Sequence, residues 1–164
     1  MPLILWDACA LVKHYVYETG SATVQAIFTE VPLPEMALTF IGYSETFAIL
    51  LRRLNQGAIS HASFTTATSA LESEFLFDPS STLLSVEDSA LLASLALIRK
   101  HSLNSTDAAI LTIFQRYLVS SGNPNAALVT ADKRLLRAAA AEGLQVIDPE
   151  TLAASDVRAV LASI

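Results

Sequence analysis

Four carboxylates in this sequence stand where an acidic site is easiest to build. Asp7 follows directly on the apolar run Leu3-Ile4-Leu5-Trp6, and Asp132 comes just after Val129-Thr130. Asp107 opens a helical stretch behind Asn104-Ser105-Thr106, and Glu45 lies early in the helical stretch that follows Met36 to Phe40. Each acid therefore sits past a strand or at a helix start, in four separate parts of the chain. Drawn together without a cation, such acids would force some of their number to stay protonated, because like charges a few ångströms apart disfavour ionisation. A divalent ion removes the conflict, and oxygen-only ligands suit Mg²⁺ or Mn²⁺. An ion of that kind activates water and neutralises phosphate in an in-line displacement.

A plainer reading competes for each residue. Asp is a favoured helix N-cap and gains about 0.3–1 kcal/mol near a helix N-terminus, so Asp7, Asp107 and Asp132 could each do no more than begin helices. Two details favour chemistry. Ser105 and Thr106 precede Asp107 and can cap in its place, and Glu45 has Ile49 rather than a base four residues on, with Arg52 farther along a similar side.

Other chemistries find no residues. Cys9 and the scattered His14, His61 and His101 show no zinc spacing. Gly42-Tyr43-Ser44-Glu45-Thr46 lacks the second glycine of a nucleophile elbow, and isolated glycines build neither a Walker loop nor a dinucleotide fingerprint. A haloacid-dehalogenase-like phosphatase would carry a second Asp where Cys9 stands.

The elements that must position the acids alternate. Strand-like runs are Leu3 to Trp6, Met36 to Phe40, Thr82 to Val86, Ala127 to Thr130 and Leu144 to Ile147. Between them lie helical patterns from Ala8 to Tyr17, from an N-cap at Ser21, from Gly42 to Asn55, from a cap at Ser60 to about Phe77, from Glu87 to Lys100, from Ser105 to Ser120 and from Asp132 to Glu142. A last short helix is expected from about Ser155. This order predicts an α/β fold, a mostly parallel central sheet of about five strands flanked by helices. In such sheets ligands collect at the carboxyl ends of the strands, where Asp7 and Asp132 fall.

Length and composition fit one domain spanning residues 1–164, with a single core and no need of a disulfide or zinc staple. Mean hydropathy is +0.47, yet the longest apolar stretch, Ala90 to Ile98, falls well short of the ~20 residues of a membrane span. The first residues carry no basic run and include Asp7, so no secretory signal is read and a cytoplasmic location is expected. The formal charge of −6 opposes broad electrostatic binding of nucleic acid. The four proposed site carboxylates account for −4 of it.

At this point the residues resemble a family. Leu5-Trp6-Asp7-Ala8-Cys9-Ala10-Leu11-Val12-Lys13 with Glu18-Thr19-Gly20-Ser21, then Ser44-Glu45 with Arg52-Arg53 and Gly57-Ala58-Ile59-Ser60, look like a PIN-domain nuclease of the VapC toxin type. His101-Ser102-Leu103-Asn104-Ser105-Thr106-Asp107-Ala108-Ala109, Leu128-Val129-Thr130-Ala131-Asp132 and the closing Gly143 to Pro149 agree, so the likeness covers residues 3–150 and leaves 151–164 as a tail or short helix. The resemblance implies a PIN-like fold, Mg²⁺- or Mn²⁺-dependent endoribonuclease activity, a homodimer and a small antitoxin that blocks the site. Carried over by position, Asp7, Glu45, Asp107 and Asp132 form the acidic quartet, with Asp7 and Asp107 as metal ligands and Glu45 and Asp132 ligating or assisting. The family often has Ser where Cys9 stands, a weaker hydrogen-bonding group. Lys13, Arg52, Arg53, Lys133 and Arg134 adjoin the acids and are candidates for holding flanking RNA phosphates; the competing reading is solvated helix faces. Three other functions stay open: a PIN-like nuclease of RNA processing, a metal-dependent phosphatase of small phosphoesters, and an inactive binding module.

Overall fold

The structure, a computed structural model, describes residues 2–164. The chain runs β1 (Leu3–Trp6), α1 (Ala8–Tyr15), α2 (Ser21–Glu30), β2 (Met36–Thr39), α3 (Phe40–Asn55), α4 (His61–Leu71), β3 (Thr82–Leu84), α5 (Asp88–His101), α6 (Ser105–Ser121), β4 (Ala126–Val129), α7 (Lys133–Ala141), β5 (Gln145–Ile147) and α8 (Val157–Ala162). The strands form one parallel sheet in the order β3-β2-β1-β4-β5. The sequence expectation of a mostly parallel, helix-flanked sheet of about five strands is met. Because β1, β2 and β3 step one way and β4 and β5 the other, the order reverses at β1 and β4, and a crevice opens at their carboxyl ends.

Strand residues alternate between two cores, since successive side chains point to opposite faces. On one face Ile4 and Trp6 pack with Leu11 of α1, Val24 and Ile27 of α2, and Leu161 of α8. On the other, Leu3 and Leu5 pack with Ile110 and Phe114 of α6 and Leu135 of α7. All four β1 residues are buried, which is why the run shows no polar alternation. The indole of Trp6 stacks on Phe28 at 5.1 Å between ring centroids.

Several element boundaries differ from the sequence reading. Gly20, at φ 90°, takes the cap position of α2 expected for Ser21, and the Ser21 hydroxyl instead donates to Lys13 O and accepts from the Glu18 N–H. A side chain at Gly20 would meet Pro149 O at 2.9 Å, so the glycine also lets the chain after β5 pack close. Helix α3 starts at Phe40, before Gly42, because the Thr39 hydroxyl accepts the Gly42 N–H at 2.9 Å and caps the helix at the strand's end. Ser60 caps α4 as expected, but the helix ends at Leu71 and Glu72–Leu76 continues as a π-helical turn. That turn lets Glu74 accept the Tyr15 hydroxyl at 2.7 Å.

Candidate active site

Asp7 leaves β1 beside Thr130, because Trp6 is in register with Val129 across the β1–β4 pair. It occupies the cap position of α1 without capping it through its side chain. The carboxylate is instead held from the sheet side: the Thr130 hydroxyl and the Cys9 thiol both donate to Asp7 Oδ2, each at 2.7 Å. Thr130 Oγ1 also accepts the Asp132 N–H at 3.1 Å, and Cys9 Sγ accepts the Ala131 N–H at 3.2 Å. One buried hydroxyl and one thiol thus fix the ends of two neighbouring strands relative to each other.

Asp132 does cap: its Oδ1 accepts the N–H groups of Arg134 and Leu135, at 2.7 and 3.0 Å. Asp107 does not. Helix α6 is capped by Asn104 rather than by Ser105 or Thr106, its Oδ1 accepting the Asp107 N–H at 2.8 Å while its Nδ2 donates to Asp107 Oδ2 at 2.7 Å. Glu45 comes from α3, one turn beyond Gly42, where a Cβ would meet Leu38 Cδ1 at 2.9 Å and Thr39 Oγ1 at 3.2 Å. The missing side chain seats α3 close on the end of β2 and so brings Glu45 toward Asp7.

Asp7, Glu45, Asp107 and Asp132, with Arg52, line one cavity of about 180 Å³ at the carboxyl edge of the sheet. The electrostatics are those of acids crowded without compensation. Burial, and then the charges of Asp7 and Asp107, push Glu45 up to about 7 against the pull of Arg52. Burial, followed by Asp7 and Asp132, raises Asp107 to about 6, opposed by Asn104 and Arg134. Asp7 is also raised, chiefly by burial and against the bonds from Cys9 and Thr130. Burial and the neighbouring Asp7 push the Cys9 thiol up to about 12, so it stays a protonated donor.

This donor set fits a hard divalent cation: all four groups are carboxylates, and beyond burial the charges of neighbouring acids hold Glu45 and Asp107 up, a repulsion such an ion would relieve. Among the described residues no three His, Cys, Asp or Glu side chains already close on one point as a ligand group.

Three solved structures share this architecture. FitAcB from Neisseria gonorrhoeae is 15% identical over 91% of this chain and 99% of that one, with a TM-score of 0.63. VapC20 from Mycobacterium tuberculosis, described as a toxin that cleaves the sarcin-ricin loop, is 14% identical over 86% and 95%, with a TM-score of 0.62. A toxin–antitoxin complex from Klebsiella pneumoniae is 16% identical over 89% and 97%, with a TM-score of 0.58. The chain has the PIN-like fold. No protein-family model matches its sequence, and no curated protein does. At these identities the likeness to the solved structures is one of fold.

On this PIN-like scaffold the five cations singled out in the sequence separate into two groups. Arg52 lines the acidic cavity, and Arg134 stands close enough to Asp107 to lower its pKa. The other three are already paired. Lys13 is only 5% exposed and donates to Glu18 and Glu150, at 2.9 Å each, while Arg53 pairs with Glu18 and Lys133 with Asp148. Two residues that organise the site, Thr130 and Asn104, were not among the sequence candidates. Their signal was positional: each stands within three residues before an acid, Thr130 at a strand end and Asn104 at a helix start.

Proposed function

We propose that this protein is a metal-dependent endoribonuclease, the toxin of a toxin–antitoxin pair. The observation that carries the reading is the convergence of four carboxylates from four chain regions on one cavity, with Glu45 and Asp107 raised to about 7 and about 6. Asp7 and Asp107 are assigned as ligands of Mg²⁺ or Mn²⁺, with Glu45 and Asp132 ligating or assisting. When bound, the ion supplies charge for the scissile phosphate and lets the four acids ionise together. Thr130 and Cys9 hold Asp7 in its orientation, and Asn104 holds Asp107. Glu45 makes no side-chain hydrogen bond among the described residues, and its value near neutrality suits it to accept the proton of an attacking water. Arg52 and Arg134 flank the acids and hold RNA phosphates on either side.

The toxin assignment is supported by the solved structures of the same fold, one described as a sarcin-ricin-loop-cleaving toxin and another as a toxin–antitoxin complex. A homodimer is supported by apolar side chains left at the surface of two helices, Phe40 and Leu51 on α3 and Leu91, Leu92 and Leu95 on α5. Among the described residues no helix is long and apolar enough to cross a membrane. The cytoplasm is the proposed place of action.

The test is cleavage of single-stranded and looped RNA by purified protein. Activity should need Mg²⁺ or Mn²⁺ and should vanish in Asp7→Asn and Asp107→Asn while both variants stay folded; cleavage unchanged by both substitutions refutes the assignment. Growth arrest with cut RNA on expression of the wild type, and not of Asp7→Asn, marks a toxin. Cut RNA without arrest marks a processing nuclease.

A further inference from the structure

A second and larger cavity, of about 500 Å³, adjoins the acidic one and shares Cys9, Ile49 and Asp132 with it. Its volume lies within the range of small-molecule sites, roughly 300–1,000 Å³. Lys13, Glu18, Arg53 and Glu150 line it together with the aliphatic Val12 and Ile49. The four charges form a closed network, since Lys13 bridges the two glutamates and Arg53 pairs with Glu18. Such a network neutralises itself and holds no phosphate by net charge.

It nevertheless keeps hydrogen-bonding capacity unspent. Lys13 has three N–H donors and uses two, and its side chain is buried at the cavity wall. Arg53 Nε is buried with no partner among the described residues, the kind of orphan that in a folded protein calls for a ligand or a water. Only Oε1 of Glu150 is engaged among the described residues, leaving Oε2 as a free acceptor. Donors and a carboxylate acceptor therefore meet at one cavity between aliphatic walls. A planar heterocycle with an acceptor beside two adjacent donors fits that arrangement. Among the RNA bases this is guanine, whose N1–H and N2–H groups suit a carboxylate while O6 accepts from a lysine or arginine.

Resting on the nuclease reading above, we propose that the cavity lined by Lys13, Arg53 and Glu150 is a base subsite that takes a guanine next to the scissile phosphate. The acidic cavity cuts, and its neighbour selects where. Glu150 accepts from the base, Lys13 and Arg53 donate to it, and Val12 and Ile49 cover its faces. Glu18 keeps the two cations in place.

Two measurements on the full-length protein test this. The first is calorimetric binding of guanosine, adenosine, cytidine and uridine 5′-monophosphates without metal. The guanosine compound should bind about tenfold more tightly than the others, the discrimination of one good bidentate contact. The second is sequencing of the ends cut from a random single-stranded RNA pool, with guanine expected at one fixed position beside the cut. Thr19→Trp, at an exposed position on the cavity's rim, should fill the subsite without disturbing the core and abolish both preferences. Glu150→Gln should bring the guanosine preference close to parity. Equal binding of all four nucleotides, or a guanine preference untouched by Thr19→Trp, overturns the subsite. RNA cutting without base preference leaves the nuclease standing and removes the subsite. Selective binding of guanosine monophosphate with no cutting of any RNA does the reverse.

Discussion

Removing the cation and raising the pH should destabilise this fold, and restoring Mg²⁺ should cancel the effect. Glu45 moves from 4.5 in an unfolded chain to about 7 in the fold, and Asp107 from 3.8 to about 6. The folded protein therefore binds more protons than the unfolded chain between about pH 4 and pH 7, and stability falls as pH rises through that window. At full burial each change is worth about 3 kcal/mol. Both groups are only half-buried and solvent screens them, which leaves about 2 kcal/mol in total. Part of that loss lies below pH 5, so for a chain of this size the melting temperature should be roughly 2–5 °C lower at about pH 8 than at about pH 5 in chelator. Carboxylates stabilised in the fold act in the opposite sense at lower pH: Glu142, held near 2 by His101 and Lys100, loses its contribution below about 4.5. A bound divalent ion favours the ionised acids. Mg²⁺ at about a hundredfold over its dissociation constant should therefore add about 2.7 kcal/mol near pH 8 and much less near pH 5. Thermal melts at the two pH values, with chelator and with Mg²⁺, read all four corners. The double variant Glu45→Gln, Asp107→Asn should flatten the site's part of the pH dependence and erase the Mg²⁺ shift. A chelated wild type that melts higher at pH 8 than at pH 5, or an equal Mg²⁺ shift at both, refutes the reasoning.

Four further outcomes follow from the geometry. Thr130→Val removes a donor from Asp7 and the acceptor of the Asp132 N–H, and should cut RNA cleavage about 10- to 100-fold with far-UV circular dichroism unchanged. Asn104→Ala should cost about 1 kcal/mol in urea unfolding through the lost α6 cap and also lower cleavage, because Asp107 loses the amide that orients it. Gly42→Ala should destabilise by about 1–3 kcal/mol in the same assay and weaken Mg²⁺ binding, since the added Cβ forces α3, and Glu45 with it, away from Leu38 and Thr39. Of the five candidate cations only Arg52 and Arg134 are without an ion pair among the described residues, so single-stranded RNA binding should depend weakly on salt, with a slope of log K on log salt of about −1.4; a slope steeper than about −4 would reveal a basic surface elsewhere.

The sheet was legible because its signal is local. Short apolar runs bounded by helix starts and turn residues gave all five strands, and buried parallel strands such as Leu3–Trp6 announce themselves by lacking alternation. Boundaries failed where a single residue's surroundings decided them. Phe40 reads as the tail of a strand, yet the Thr39 hydroxyl caps a helix that begins there. Ser21 reads as a cap, yet Gly20 alone can adopt the left-handed backbone there with Pro149 pressed against it. The acids were legible by type and placement. The state of each neighbouring cation was not, because Lys13 meets Glu150 across 137 residues of chain, a separation no periodicity encodes.

Structural capping and chemistry, weighed as alternatives from sequence, are compatible here because a carboxylate has two oxygens. Asp132 spends Oδ1 on two N–H groups of α7 and still lines the cavity. Asp107 is relieved of capping by Asn104, whose amide returns to hold Oδ2. Asp7 occupies a cap position, but its Oδ2 is claimed from across the sheet by Thr130 and from within α1 by Cys9. Three of the four acids are thus anchored by neutral donors rather than by cations. A salt-bridge partner would have satisfied their charge and removed the need for an ion; a hydroxyl, a thiol, an amide or a backbone N–H orients the group and leaves its charge unneutralised. Lys13, Arg53 and Lys133 are tied to Glu18, Glu150 and Asp148 outside the quartet, so of the five candidate cations Arg52 and Arg134 alone are left to oppose the cavity's negative charge.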